Sequence, residues 1–522
     1  MISERLVRSG RTALPLVVLC ALVAVWGAYL WCWDLSYNSD VAMIGLMARR
    51  IAAGLEQPIF VWTVGYQGMF LEGYLAAALF KLFGVSPLVL SLAPTIYALL
   101  FLAALFVAVR KYFDAVTAWL TLLLLVVSCP MFLGQFLRTL PNYPEMHLGG
   151  VIGILIFTKL AVRIANDHSP VNLRTLFLTL TLGLVHGFFY YTFSLSALFL
   201  AAIAAQAVLL ALFKRPSPKA TVLLLSPLYL VGFALGYSPA LYYSYILIGP
   251  GSRPPQLGGD LAAVRYRWDI LMQVHHRFLN LTDSPAVNIL LVSLFGVAVV
   301  WFSIQVTKAV WQGLRSRRPL QERTVGQGVL LFLPLAAVGA FLSSAQVGDL
   351  EHGRWVISLV VIYALMTANL LITLWRQWPR GFGRLVPLVL LGLLLANNAR
   401  SIAGSLETSG DERRFLENLI ATLDSHKLTR GYGNYWSTYA VNLMTDERII
   451  LQPVDTPYSP HYSVEVRGSD RLGYVNKPDP RLELPGGSIN LDGFDYFVED
   501  AKAVGKGLMF YALRRLDMRP VR

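Results

Sequence analysis

The segment Asp34-Leu35-Ser36-Tyr37-Asn38-Ser39-Asp40 ends on a carboxylate between a long apolar stretch and a run with helical spacing. At a membrane interface Asp40 has the chemistry to take a proton from an acceptor hydroxyl. Ser39 or Asp40 equally suits a helix N-cap, favoured by free amides and the helix dipole, and one residue can serve both ends. Val61-Trp62-Thr63-Val64-Gly65-Tyr66-Gln67-Gly68-Met69-Phe70-Leu71-Glu72 collects aromatic, amide and carboxylate groups in a short loop. Tyr66, Gln67 and Glu72 suit a sugar, with rings on the pyranose face and polar groups on its hydroxyls, although an interfacial aromatic belt has the same composition. In Pro141-Asn142-Tyr143-Pro144-Glu145-Met146-His147, Tyr143 and Glu145 are further sugar or acceptor contacts, and Glu145 also fits a first-turn dipole partner.

Cations complete the set. Asp349-Leu350-Glu351-His352-Gly353-Arg354-Trp355 places His352 and Arg354 beside an apolar run. Arg354 can hold a lipid phosphate through its planar fork, or simply snorkel to the interface. Arg265 and Arg267, followed by His275, His276 and Arg277, add positive charge that suits either an anionic lipid substrate or phospholipid headgroups. Adjacent histidines lack the spacing of a metal pair, and Cys20, Cys32 and Cys129 form no ligand pattern. The expected chemistry therefore needs no cofactor, and a divalent metal has no support. His186, alone in an apolar run, should face another helix or a cavity.

These groups need a membrane scaffold. Of 522 residues 56% are hydrophobic and 14% charged, which excludes one soluble globule. Repeated runs of about 20 apolar residues predict a polytopic α-helical membrane protein. Eleven spans are expected: 13–33, 88–109, 115–133, 148–162, 175–190, 193–213, 220–246, 287–307, 328–346, 355–375 and 385–401. The first reads as an uncleaved anchor with a cytoplasmic N-terminus. The connections assigned inside hold 18 cations in 64 residues and those outside 9 in 118, the asymmetry that Lys and Arg show across membranes. The surplus of 13 cations is explained this way, without nucleic acid. The pair 175–213 is the one place where a re-entrant hairpin competes with two spans. Residues 1–401 form the membrane domain, with long outside loops 34–87 and 247–286. In the first loop Val41–Leu55 has one apolar face and should lie on the membrane surface, with a Gly-rich turn at Gly65–Gly68 before a second surface helix. The second loop opens with the mobile composition of Gly249–Pro255. Residues 402–522 read as a separate outside α/β module, with a helix over 414–428 and strands at 448–451 and 508–513.

Tyr37-Asn38-Ser39-Asp40, the helix Val41–Arg49, Gly65-Tyr66-Gln67-Gly68 and Leu71-Glu72-Gly73-Tyr74-Leu75 resemble the first outside loop of bacterial membrane glycosyltransferases of the GT-C superfamily. Phe83-Gly84, Tyr143-Pro144-Glu145 and Arg354-Trp355 are also similar to features of that superfamily, which includes the protein O-mannosyltransferases and the lipid A aminoarabinose transferase. The resemblance implies a polyprenyl-phosphate-linked sugar as donor and an acid near the start of the first outside loop, here Asp40. Many relatives carry a second acid where this chain has Val41. The expectation is transfer, with inversion, to an envelope glycan, lipid or protein at the outer face of the bacterial cytoplasmic membrane. Asp40 would be the base, with Arg354, Arg265 and Arg267 on the donor phosphate. A transporter or flippase of lipid-linked sugars, or a non-catalytic envelope scaffold, are the alternatives. The first would want ionisable groups at mid-membrane, where His186 stands alone.

Overall fold

The apolar runs fold as helices long enough to cross a bilayer, and polar side chains decide where many of them begin. The computed structural model describes the chain except residues 1, 36, 63, 168–170, 215–218, 244–260, 317, 345–346, 379–381, 455–459, 468, 480–481, 483–486 and 517–522. For residues 2–12, 64–67, 261, 351, 382 and 460 only the backbone is described. The segment Gly249–Pro255 and the side chains of Tyr66 and Gln67 thus lie outside the described residues.

Helix α1 (Ile2–Trp31) leads to the first loop, made of α2 (Ser39–Ala52), the hairpin β1 (Phe60–Val61) and β2 (Val64–Gly68), and α3 (Glu72–Phe83). The expected turn at Gly65–Gly68 is instead the second strand of that hairpin. Ser86 accepts from the Val89 N–H, ahead of Pro87, and opens α4 (Pro87–Tyr112). Asp114 accepts from Val116 and Thr117, both at 2.9 Å, and opens α5 (Ala115–Val126). Pro130 forbids helical backbone at Cys129, so the chain restarts as α6 (Pro130–Phe136) at 91° to α5. Then come α7 (Tyr143–Asn166), α8 (Leu173–Thr192), α9 (Ala197–Phe213), α10 (Lys219–Tyr242), α11 (Leu261–Phe278), α12 (Pro285–Arg315), α13 (Glu322–Ser343), α14 (Ser358–Gln377) and α15 (Leu385–Glu407). The segment 175–213 is two full-length helices and no hairpin loop.

Ten single helices of the described chain are long and apolar enough to span, and the bent α5–α6 pair is a broken eleventh. Parity decides whether that pair crosses. α2 packs directly on a helix of the C-terminal module, so the chain between them crosses an even number of times. Nine unbroken helices lie between, so the bent pair is the tenth crossing.

The module contains α16 (Asp411–Ser425), β3 (Arg430–Gly433), α17 (Tyr435–Met444), β4 (Ile450–Pro453), α18 (Pro460–Val466), β5 (Arg471–Asn476), β6 (Ser488–Leu491), β7 (Phe494–Gly505) and β8 (Leu508–Arg515). Its sheet runs β4-β3-β5-β8-β7-β6, parallel among the first three strands and antiparallel thereafter. The module shares one hydrophobic core with α2, α3 and the start of α4. The expected one-faced surface helix is therefore corrected. Met43, Leu46 and Met47 are as buried as Val41 and Ile44, because α17 and the segment after β1 together cover the side that was to face water: the Tyr439 N–H meets Ser39 and the Trp62 N–H meets Met47 Sδ at 3.4 Å, while Leu55 lies beyond the helix end, exposed. A side chain at Gly45 would meet the side-chain ends of Leu443 on α17 and Leu90 on α4, which would have to shift to admit it.

Candidate functional site

Asp40 sits in the first turn of α2 and does not cap it. Asn38 does, accepting from the Val41 N–H at 3.1 Å, while Ser39 Oγ accepts from the Tyr439 N–H at 3.2 Å. The cap reading of Ser39 and Asp40 is thus overturned: Asn38 has the extended backbone that an N-cap needs. Asp40, half-buried, accepts a hydrogen bond from the Tyr435 hydroxyl at the start of α17. Tyr435 is the site residue that the sequence reading missed. Asn434 caps α17, its Oδ1 taking the Ser437 N–H at 3.2 Å, and so fixes where Tyr435 points. Trp436, next in the helix, is 60% exposed with its ring edge against Tyr435 at 5.1 Å.

Further bonds hold the module on the loop. The Tyr37 hydroxyl donates to the Ala440 carbonyl at 3.3 Å, Asp34 accepts from the Gly410 N–H, and Arg49 pairs with Asp446 at 2.6 Å and with Glu447.

Beneath α2 the segment Arg138–Asn142 draws the start of α3 and of α7 together. Thr139 Oγ1 donates to the Val41 carbonyl at 3.5 Å. The Leu140 N–H donates to Glu72 Oε2 at 3.0 Å. Asn142, in left-handed backbone with φ 66°, donates from Nδ2 to the carbonyls of Gly68 and Thr192 at 3.0 and 3.2 Å. Glu72 is fully enclosed. Burial pushes its carboxyl well above the usual range, against the pull of the Leu140 N–H and Arg138. Glu145 lies within electrostatic reach of Glu72, fully buried, and neither of its oxygens has a hydrogen-bond partner, nor does Glu72 Oε1. Tyr143 is also fully buried, its ring edge against Phe193 and its carbonyl on His147 Nδ1 at 2.7 Å. No group of three or more His, Cys, Asp or Glu side chains converges among the described residues.

Arg354 belongs to a 3-10 segment, Leu350–Val356, and so precedes its span rather than entering it. Its Nε is buried without a partner. His352 Nδ1 lies 2.8 Å from Asp349 Oδ1, and its ring meets Trp355 edge-on at 4.8 Å. On α11 Arg265 is exposed, whereas Arg267 is buried and donates from Nη1 to the Leu342 carbonyl at 2.9 Å, which ties α11 to α13. His275 fixes α11 from its other side, with Nε2 2.7 Å from the Tyr363 hydroxyl. No hydrogen bond or ion pair joins Arg354 to Asp40 among the described residues. The link is indirect: Ser358, at the start of α14, meets His147 Nε2 at 2.9 Å on the helix that carries Glu145.

No family model and no curated protein matches the chain. Among solved structures it is similar to ArnT from Cupriavidus metallidurans in the apo state, with TM-score 0.57 and 12% identity over 96% of this chain and 98% of that one. The same protein bound to undecaprenyl phosphate aligns with TM-score 0.55 and 13% identity over the same shares. The archaeal oligosaccharyltransferase AglB from Archaeoglobus fulgidus, in complex with an inhibitory peptide and a dolichol-phosphate, aligns with TM-score 0.53 and 12% identity over 88% of this chain and 69% of that one. The candidate spans, the first loop built on α2 and α3, and the module seated on that loop thus share the fold of the ArnT structures over almost the whole chain.

Proposed function

We propose that the chain transfers a sugar from a polyprenyl-phosphate donor to an envelope acceptor, at the outer face of the bacterial cytoplasmic membrane. One observation carries the reading: the Asp40 carboxylate accepts a hydrogen bond from a hydroxyl, that of Tyr435, which is the contact that an acceptor hydroxyl would make with a base. In the reaction the acceptor oxygen attacks the anomeric carbon, the bond from that carbon to the phosphate oxygen breaks, and polyprenyl phosphate leaves with the electron pair. Asp40 takes the acceptor proton. A single displacement inverts the anomeric centre. The unpartnered Arg354 Nε suits the leaving phosphate, with Arg265 as a second, open cation. Glu72, Glu145 and His352 line the sugar or acceptor side in this reading, with Tyr66 and Gln67 on the hairpin, and the exposed Trp436 offers a ring face to the acceptor. The solved ArnT and AglB structures with undecaprenyl phosphate and dolichol-phosphate support a lipid-phosphate donor.

The test uses the full chain in lipid nanodiscs with a panel of undecaprenyl-phosphate-linked sugars and an envelope extract as acceptor, and follows release of undecaprenyl phosphate. Release with one donor, together with label in the acceptor fraction, is expected. If the protein instead moves lipid-linked sugar across vesicle membranes without release, the carrier alternative is correct.

A further inference from the structure

A cavity of about 250 Å³ lies between α7, α8, α9 and α10; it starts at the level of His186 and Leu200 and runs past mid-helix toward the helix ends remote from Asp40. Its walls include Leu160 and Ile164 late in α7, Leu210 late in α9, and Val222 and Leu225 early in α10. At a rise of 1.5 Å per residue, Leu160 is about 22 Å along α7 from Glu145. The cavity exists because α10 is bound to α8 and hardly to α9. Gly183 and Gly187 on α8 face Gly232 and Gly236 on α10, each so close that a side chain would strike the opposite backbone. That contact holds α10 away from α9 and leaves a lateral mouth, where the exposed Ala204 lines the opening.

The polar groups on the wall are largely turned to one another. Thr179 Oγ1 donates to the Thr175 carbonyl at 2.8 Å, Ser226 Oγ to the Leu223 carbonyl at 2.7 Å, and His186 Nδ1 lies 2.9 Å from the Tyr229 hydroxyl, while His186 Nε2 lies against Gly153. The occupant therefore meets mostly carbon, His186 Nε2 being a buried nitrogen of the wall without a hydrogen-bond partner. An apolar cavity of about 150 Å³ is enough to hold a benzene, so this one takes a longer stretch of hydrocarbon. At the same end of the bundle the described helix termini carry Arg163, Arg174, Lys214 and Lys219; Arg163 pairs with Asp167 at 3.3 Å and Lys214 donates to the carbonyls of Ser316 and Arg318, both at 2.8 Å.

We propose that this cavity binds one acyl chain of an anionic glycerophospholipid from the leaflet opposite the Asp40 face, with its headgroup among those cations. A polyprenyl donor is excluded as the intended occupant, because its phosphate must reach Asp40 on the other face.

The experiment is native mass spectrometry of the delipidated full chain with added dioleoylphosphatidylglycerol, dioleoylphosphatidylcholine or undecaprenyl phosphate. Phosphatidylglycerol should be retained about tenfold more than phosphatidylcholine, because an anionic headgroup among basic helix termini such as Arg174 gains what a zwitterionic one does not. Ala204→Trp, which plugs the mouth from an exposed position, should lower that retention about tenfold, and Arg174→Glu should abolish the headgroup preference. Ala161→Leu fills the cavity from α7 and serves if the tryptophan variant does not fold. Equal retention of both phospholipids, unchanged retention in the folded filled variant, or displacement of phosphatidylglycerol by undecaprenyl phosphate would each overturn the proposal.

Discussion

Asp40→Asn and Tyr435→Phe, separately and together, separate a proton-accepting role from a structural clamp. In Asp40→Asn the cap survives, because Asn38 supplies it. What is lost is a first-turn charge, about 0.3–1 kcal/mol, and the ionic character of one hydrogen bond, about 1 kcal/mol. A stability loss of about 1–2 kcal/mol is therefore expected, small enough to leave the protein folded. Removal of a positioned base slows proton transfer by about 10²–10⁴, equivalent to about 3–5 kcal/mol of barrier. Tyr435→Phe leaves the ring in place and removes only the hydroxyl that an acceptor must displace. Transfer should persist, and the acceptor KM should fall by up to about tenfold, the worth of one ordinary hydrogen bond. The assay is release of undecaprenyl phosphate against acceptor concentration, with thermal unfolding recorded on the same samples. If Asp40→Asn keeps full activity, or if Tyr435→Phe fails as severely as Asp40→Asn while both stay folded, Asp40 is a clamp between loop and module and the base assignment is wrong.

Arg354→Lys keeps the charge without the fork and should weaken donor use partially, while Arg354→Ala should do so severely; the donor and acceptor KM values, measured separately, should show acceptor dependence near wild type. Trp436→Ala should raise the acceptor KM and leave donor binding unchanged, since the ring is exposed on the module side. Burial raises Glu72 in the fold above its value in the open chain, so the folded state keeps a proton that the unfolded chain releases. Stability should consequently fall as pH rises from the ordinary carboxylate range to the raised value and level off above it, and Glu72→Gln should flatten that slope in thermal unfolding across pH. Gly187→Leu should cost at least about 1–3 kcal/mol by forcing α8 from α10, read as a lowered Tm in detergent, whereas Gly27→Ala, with open space around it, should change little.

The spans were legible because a membrane demands one thing of a helix, a run of apolar residues, and each run states this locally. The bend at Cys129-Pro130 was written in the proline, but a hydropathy reading merges 115–133 into one rod. The α/β character of the module showed in strands such as Ile450–Leu451 and Leu508–Leu513, while β5, β6 and β7 were missed because the module's aromatic and charged residues blur the alternation. The site divides the same way. Asp40, Glu72, Glu145 and Arg354 stood out as polar groups beside apolar spans. Tyr435 did not, because its partner lies 395 residues earlier and no local pattern encodes that meeting. The one-faced reading of α2 failed for the same reason: Tyr439 and Leu443, which meet Ser39 and Gly45, come about four hundred residues later in the chain.

That α2 completes its core only against α17 sets a timetable for biosynthesis. Asp40 leaves the ribosome nearly four hundred residues before Tyr435, an interval of about 20–80 s at ordinary elongation rates of about 5–20 residues per second. Through that time the side of α2 that will meet α17 is left to lipid or a chaperone, while Met47 already has Trp62 of the same loop, whose N–H donates to its Sδ at 3.4 Å. A nascent or truncated chain can thus carry every membrane helix and still present an open first loop, and the carboxylate receives its neighbour only in the final stretch of translation.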